Sequence, residues 1–171
     1  MNLIVAIDEN NGIGKDGKLL FRIPEDMKRF QNFTNKTTVI MGRKTFEGRP
    51  DGRPLKNREN IIFTRNTSYP GGNFKIVHSM EEFKDIYNPE LNYNVIGGAE
   101  IYKEFLPYCK LAFITKAYKD FHADTFLPFD LNDYPGWTLN YESTLRKVKL
   151  DEEYVEYRYY TFFNTKSLPI Q

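Results

Sequence analysis

The sequence predicts an α/β fold: a single domain with a central, mostly parallel twisted sheet of about eight strands, an antiparallel C-terminal edge and about four flanking helices. Short apolar runs alternate with helical signals, which is typical of a parallel sheet covered on both faces. The C-terminal part instead has two runs of alternating aromatic residues, which favour an antiparallel edge. No repeat or linker divides the 171 residues, so we expect one domain over residues 1–165 and a tail over residues 166–171.

The strands of the predicted sheet are short runs bounded by polar or turn-forming residues. The antiparallel edge is predicted from Trp137–Thr144 and Tyr154–Phe163, which flank a charged segment that we expect to be a turn. The six runs that are typical of buried parallel strands are Leu3–Ile7, Thr38–Met41, Ile61–Thr64, Lys75–Val77, Asn94–Ile96 and Leu111–Thr115.

Helices are predicted between these strands from their end signals. One begins at Pro24, where a proline followed by two acids suits the first turn. Another begins at Ser79, where Ser-Met-Glu-Glu forms a capping box with Glu82. A third extends from about Ala99 to Leu106 and ends at the following proline.

Charge and cysteine content exclude several classes of protein. The chain has 24 Lys and Arg against 23 Asp and Glu, so it lacks the global positive field that binds nucleic acid or anionic membranes. The single cysteine cannot form an internal disulfide, no Cys/His group has zinc spacing, and we expect a cytoplasmic protein without a resident metal. The apolar N-terminal strand meets Asp8 at once and lacks the features of a signal peptide.

Asp26 is the strongest candidate for chemistry because it lies within an apolar helical stripe. Met27 and Phe30 fall on the same side of the predicted helix, whereas Lys28 and Arg29 fall on the other. Burial raises the pKa of such a carboxyl group, which could then bind or protonate a planar nitrogenous ligand. The alternative is an acid that only complements the helix dipole.

Three strand-to-helix junctions could bind anions: Met41–Thr45, Thr64-Arg65 and Val95–Ala99. Their glycines, hydroxyls and cations would meet at one edge of a parallel sheet, where phosphate groups bind. Each junction alone could be a solvated loop or an unliganded turn. Together they predict a dinucleotide site, although no Gly-x-Gly-x-x-Gly fingerprint marks a Rossmann domain.

The order of these residues resembles the dihydrofolate reductase family over about residues 1 to 165. The Met-Gly-Arg-Lys-Thr segment and the later Ile-Gly-Gly are specific in combination. The matching stretches are Gly12–Lys15, Ile23–Met27 with Phe30, Val39–Phe46, Arg53–Leu55, Arg58–Ile62, Val95–Gly98 with Tyr102, and Asp124-Thr125.

The resemblance implies NADPH-dependent reduction of 7,8-dihydrofolate to tetrahydrofolate, with hydride transfer to pterin C6 and protonation of N5. It implies antifolate inhibitors as ligands and a role in one-carbon and thymidylate metabolism, and we expect a monomer. Asp26 matches the family's ionisable pocket residue, and Thr115 would brace its carboxylate. The implied substrate-binding residues are Ile4, Val5, Ala6, Leu19, Asp26, Met27, Phe30, Leu55, Arg58, Ile96 and Thr115, with Arg58 as the clamp on the glutamate carboxylate. The implied cofactor-binding residues are Ala6, Ile13, Gly14, Gly42, Arg43, Lys44, Thr45, Thr64, Arg65, Ile96, Gly97, Gly98, Ala99, Glu100, Ile101, Tyr102 and Thr125.

Departures from the family pattern concern the segment from Glu9 to Phe21, which resembles the family's mobile active-site loop. Leu20 and Phe21 stand where the family usually has Pro-Trp, so the indole N–H that contacts a catalytic water is missing. We therefore expect altered loop kinetics, with Phe21 in the catalytic set, and altered antifolate sensitivity. Glu100 would weaken phosphate binding at its corner of the site.

Two alternatives remain open at this point. One is the NADPH-dependent pyrimidine reductase of riboflavin synthesis, which shares the fold but would not need Asp26, Phe30 and Arg58 together. The other is a nucleotide-binding module without turnover. The two histidines, His78 and His122, have no metal-ligand pattern and are expected at the surface or in turns.

Overall fold

The computed structural model describes residues 1–171 and has eleven strands and four α-helices. A single 3-10 turn, Leu106–Tyr108, follows the last helix. The elements in chain order are β1 (Asn2–Ile7), β2 (Gly12–Gly14), α1 (Pro24–Thr34), β3 (Thr38–Gly42), α2 (Arg43–Glu47), β4 (Glu59–Phe63), β5 (Lys75–Val77), α3 (Met80–Ile86), β6 (Tyr93–Gly97), α4 (Ala99–Phe105), β7 (Leu111–Ala117), β8 (Thr125–Phe126), β9 (Trp137–Glu142), β10 (Arg146–Leu150) and β11 (Glu153–Asn164).

Nine of the strands form one sheet in the order β10-β11-β7-β1-β6-β3-β4-β5, with β9 also paired to β11. The six strands from β7 to β5 run parallel to one another. The long strand β11 is antiparallel to β7, β9 and β10. The predicted fold class, a mostly parallel α/β sheet with an antiparallel C-terminal edge, is confirmed.

The charged segment between the two aromatic runs is a strand, so the predicted turn there is wrong. In β10 the residues alternate, and Val148 and Leu150 pack against the cluster that contains Val155 and Tyr157. The intervening lysines face solvent, which is usual on an edge strand because charge discourages pairing with another chain. The alternation of apolar and charged residues in this segment indicates a strand, even though the proportion of charged residues is typical of a turn.

Both faces of the parallel sheet are covered, as the continuously apolar runs indicate. In β3, Ile40 belongs to the large core cluster with α3 and α4, whereas Val39 and Met41 belong to a second cluster with Phe46 of α2. All three side chains are fully buried. Because the central strands are parallel, the loops and helix starts that follow them lie together at one edge of the sheet.

The predicted helix starts are also observed. Pro24 is the first residue of α1, and the Ser79 hydroxyl accepts a hydrogen bond from the backbone N–H of Glu82 at 3.1 Å. The Glu82 carboxylate accepts from the N–H of His78, one residue before the expected position. None of the helices is long and apolar enough to cross a membrane.

Candidate active site

A cleft of about 1570 Å³ crosses the edge of the sheet where β1, β3, β4 and β6 end. Its wall combines apolar side chains from β1 and α1 with the glycine-containing junctions that follow β3 and β6. Ligands of open α/β sheets bind at this edge because strand ends and helix starts leave backbone groups exposed there. The cleft therefore joins an apolar half to a polar half.

Asp26 projects from the first turn of α1 into the apolar half. Its Oδ1 accepts a hydrogen bond of 2.6 Å from the Thr115 hydroxyl on β7, which is buried. Burial raises the pKa of Asp26, Glu25 raises it further, and the Thr115 hydrogen bond and the charge of Arg29 lower it. The other carboxylate oxygen, Oδ2, has no hydrogen-bond partner in the protein.

The apolar wall beside Asp26 contains a pair of stacked aromatic rings. Phe33 and Phe113 stack with their ring centroids 4.5 Å apart, and both line the cleft. The expected substrate-side residues that also line it are Ile4, Val5, Ala6, Leu19, Met27, Phe30, Leu55, Ile96 and Thr115.

Arg29 lies in this wall, so its expected position on the opposite, solvent-facing side of α1 is wrong. Its guanidinium carbon lies 3.9 Å from the ring centroid of Tyr159 and 5.0 Å from that of Phe33. These two rings hold the long side chain along the cleft, which the angular position of its Cα alone does not indicate.

The polar half of the cleft is formed where the β3–α2 and β6–α4 junctions touch. A Cβ atom added to Gly98 would lie 3.2 Å from the Thr45 hydroxyl, and one added to Gly42 would lie 3.2 Å from Ile101. Glycine at these positions keeps the backbone open to a ligand. The expected cofactor-side residues that line the cleft are Ala6, Ile13, Gly14, Gly42, Arg43, Lys44, Thr45, Thr64, Arg65, Ile96, Gly98, Ala99, Glu100, Ile101, Tyr102 and Thr125.

The two arginines of the polar half carry exposed acidic partners. Arg43 pairs with Glu47 at 2.9 Å, and Arg65 lies 3.8 Å from Glu100. Exposed pairs of this kind contribute about 0–1 kcal/mol, so a doubly charged anion can replace the carboxylates. Residues 43–65 contain seven basic residues against three acidic ones, and four of the seven, Arg43, Lys44, Arg49 and Arg65, line the cleft.

Three expected site residues lie outside the cleft wall. Phe21 packs against Phe121 with ring centroids 5.0 Å apart, in a separate apolar cluster. Gly97 lies behind Gly98 with φ of +120°, a conformation that favours glycine. Arg58 bends back to the end of α1, where its guanidinium donates to the Thr34 hydroxyl and to the Gln31 side chain.

Several cleft residues were not expected from the sequence. Arg22 and Arg49 line the cleft, and of these two only Arg49 belongs to the basic segment of residues 43–65. His78 is partly exposed and also lines the cleft, and its Nδ1 lies 2.7 Å from the Thr64 carbonyl oxygen. His122 is exposed in a turn, as expected.

The segment from Glu9 to Phe21 covers one side of the cleft and is tied at two points. The Asp16 N–H donates to the Asp124 carboxylate at 2.9 Å, and the Asp124 N–H donates to the Gly14 carbonyl at 3.1 Å. At the tip, a Cβ added to Gly48 would lie 2.1 Å from the Gly17 carbonyl oxygen, so the two backbones touch. The segment thus reaches across the cleft to the end of α2.

Comparison with known proteins identifies one family over nearly the whole chain. The sequence profile described as dihydrofolate reductase matches residues 1–162. The chain belongs to the dihydrofolate reductase family. The dihydrofolate reductase of Bacillus subtilis is 35% identical over 161 residues, which cover 92% of this chain and 93% of the relative.

Further members of the dihydrofolate reductase family agree in sequence and in structure. That of Haemophilus influenzae is 34% identical over 148 residues, covering 82% of this chain and 85% of the relative. A solved structure described as dihydrofolate reductase from Enterococcus faecalis complexed with NADP(H) and RAB-propyl superimposes with a TM-score of 0.82. It is 33% identical and covers 95% of each chain.

Proposed function

We propose that this chain reduces 7,8-dihydrofolate to tetrahydrofolate with NADPH as cofactor. The observation that carries the proposal is the Asp26–Thr115 pair, a partly buried carboxylate in the apolar half of a cleft whose other half is formed by glycine-containing junctions with cationic side chains. An apolar cleft wall with one acidic side chain suits a pterin ring, and the β3–α2 and β6–α4 junctions suit a phosphorylated dinucleotide. Family membership agrees with both halves of this assignment.

The apolar half of the cleft is the substrate half in this proposal. There, Asp26 would accept hydrogen bonds from the amidine-like edge of the pterin. Thr115 holds one carboxylate oxygen at 2.6 Å, which leaves the other for the ring. The negative charge favours a protonated, more electrophilic ring, and the proton would reach N5 from water. Met27 and Phe30 would pack against the rings and exclude further water.

The polar half fits NADPH by its donors and by its shape. The open backbone at Gly98 and the Thr45 hydroxyl would hold the pyrophosphate, because a side chain at position 98 would fill that space. Arg43 and Arg65 would bind the 2′-phosphate in place of their acidic partners. When bound, NADPH supplies the hydride that reduces pterin C6.

The glutamate tail of the substrate requires cations at the far end of the substrate half. Arg49 lines the cleft, burial lowers its pKa, and its nearest acid, Asp51, is 3.9 Å away. Burial lowers the pKa of Arg58, and the charge of Arg49 lowers it further. We therefore propose that Arg49 binds one carboxylate of the tail and that Arg58, whose partner Gln31 lines the cleft, binds the other.

A ligand comparison tests the assignment of the tail. Folate carries the glutamate and pteroate lacks it, so Arg49→Gln should weaken folate binding about tenfold and leave pteroate binding within about twofold. Arg58→Gln should behave in the same way if it also contacts the tail. Equal losses for both ligands would contradict the assignment of either arginine.

The decisive experiment for the function is NADPH oxidation in the presence of dihydrofolate, followed by its absorbance. We expect steady oxidation that depends on dihydrofolate and falls strongly in Asp26→Asn. Oxidation with a ribosylated pyrimidine instead would support the pyrimidine reductase, and NADPH binding without oxidation would support a module without turnover. A monomeric state, a cytoplasmic location and the absence of nucleic-acid partners stay predictions, and size-exclusion chromatography tests the first.

A further inference from the structure

Arg29 is a cation in the cleft wall with no hydrogen bond or salt bridge to any protein group. It lies three residues after Asp26 on α1, a spacing that places two side chains on neighbouring positions of one helix face. Both residues line the same cleft. The proposed reaction does not require an unpaired guanidinium group beside Asp26.

The position of Arg29 is fixed by aromatic rings rather than by an acid. Its guanidinium carbon lies 3.9 Å from the ring centroid of Tyr159 and 5.0 Å from that of Phe33. Tyr159 lies directly opposite Thr115 in the β7–β11 ladder, and cross-strand partners share one face of a sheet. Thr115 in turn binds Asp26, so these contacts hold the cation at a set place beside the acid.

The charged and titratable groups around Asp26 are few. Glu25 and Arg29 come from α1 and Tyr159 from β11, while β7 contributes only the neutral Thr115 hydroxyl. Glu25 is itself paired, because Arg146 and the Tyr157 hydroxyl both contact its carboxylate at 2.7 Å. Arg29 is therefore the one unpaired cation that acts on the Asp26 carboxylate.

We propose that Arg29 is a specificity-determining residue that makes the cleft favour ligands with a neutral ring over ligands whose ring is positively charged where it meets Asp26. A neutral ring gains its hydrogen bonds to the carboxylate and experiences little repulsion from Arg29. An amidinium ring gains a charged pair with Asp26 but also faces Arg29 about one helical turn away. The inference rests on the proposed function, because it takes the Asp26 side of the cleft as the site of the ring.

Two ligands isolate this effect because they differ only at the ring. Folate has a 4-oxo ring that binds neutral, whereas aminopterin has a 4-amino ring that binds a carboxylate in its protonated form. Both carry the same benzoylglutamate tail, so the ratio of their dissociation constants cancels any effect of Arg29 on the tail. Equilibrium titration of intrinsic fluorescence measures both constants and requires no turnover.

The expected result is a change in that ratio, not a general loss of binding. In Arg29→Gln, removing the unit charge about one helical turn from the ring should raise the preference for aminopterin over folate about tenfold. Arg29→Lys retains the charge and should keep the ratio within about twofold of the unmodified protein. Lys28→Gln removes the same charge from the exposed side of α1 and is the matched control, also within about twofold.

Two results would overturn the proposal. An unchanged ratio in Arg29→Gln would show that the charge does not select ligands, and equal changes in Arg29→Gln and Arg29→Lys would assign the effect to packing on Tyr159. Arg29→Met keeps the apolar stem and gives the same comparison if the Gln variant does not fold. Failure of the unmodified protein to bind either ligand would refute the proposed function instead.

Discussion

Replacing Asp26 by Asn changes the charge of the cleft and keeps its shape. The amide oxygen can still accept the Thr115 hydrogen bond, which is 2.6 Å long in the native site. The variant loses the negative charge that favours a protonated ring, and contributions of this kind are about 10²- to 10⁴-fold in rate. We therefore expect the rate of dihydrofolate reduction at neutral pH to fall by about that factor.

The same substitution should stabilise the protein because burial raises the pKa of Asp26. The native state then binds more protons than the unfolded state between the ordinary pKa and the raised one, so the free energy of unfolding falls as pH rises through that window. Above the window the buried charge is a full cost, which Asn removes. We expect Asp26→Asn to raise the free energy of unfolding by about 1 kcal/mol, which corresponds to an increase of about 2–4 °C in Tm.

Two measurements test these signs together. Rates of NADPH oxidation across pH should show a loss in Asp26→Asn that becomes smaller in acid, where solvent protons reach the ring directly. Thermal unfolding should show a higher Tm for the variant at neutral pH and a much smaller difference below about pH 3, where Asp26 is protonated in both the native and the unfolded state. A near-native rate at neutral pH, or a lower Tm there, would refute the role and the environment assigned to Asp26.

Three further substitutions test other parts of the cleft. Thr115→Val removes the hydroxyl donor and should shift the pH dependence of the rate to higher pH, because that hydrogen bond lowers the pKa of the carboxyl group; an unchanged profile would contradict the bracing role. Arg43→Ala should weaken NADPH binding by about tenfold or more in a fluorescence titration and leave NADH binding nearly unchanged, and equal losses for both cofactors would refute its contact with the 2′-phosphate. Phe21→Trp should change product-release kinetics and trimethoprim affinity, because it supplies an indole N–H in the loop segment next to Phe121; identical stopped-flow traces and affinities would contradict a role of this position in loop motion.

The sequence predicted those parts of the site that depend on local pattern. Asp26 was found because an acid within an apolar helical stripe is costly to bury unless it binds a partner, and the anion junctions were found because parallel strands end at one edge. Arg29 was misplaced because its direction depends on Tyr159, which comes from a distant strand. The sequence does not show that Arg58 donates to Thr34 and Gln31 at the end of α1, because these contacts are set by tertiary packing.

Strand β10 shows the same limit in the fold. Its lysines suggested a turn, yet Val148 and Leu150 reach an apolar cluster that exists only once β11 has paired with β7. Local propensity cannot reveal a partner that is supplied by the rest of the sheet. The central parallel strands were predictable because they are apolar on both faces whatever lies beside them.

The most direct test of the central claim follows one atom from cofactor to substrate. NADPH deuterated at nicotinamide C4, in both stereoisomers, is mixed with the protein and dihydrofolate, and the product is analysed by mass spectrometry and NMR. We expect tetrahydrofolate with a single deuterium at C6 from one of the two stereoisomers. Consumption of NADPH without deuterium at C6, or no consumption at all, would contradict the account.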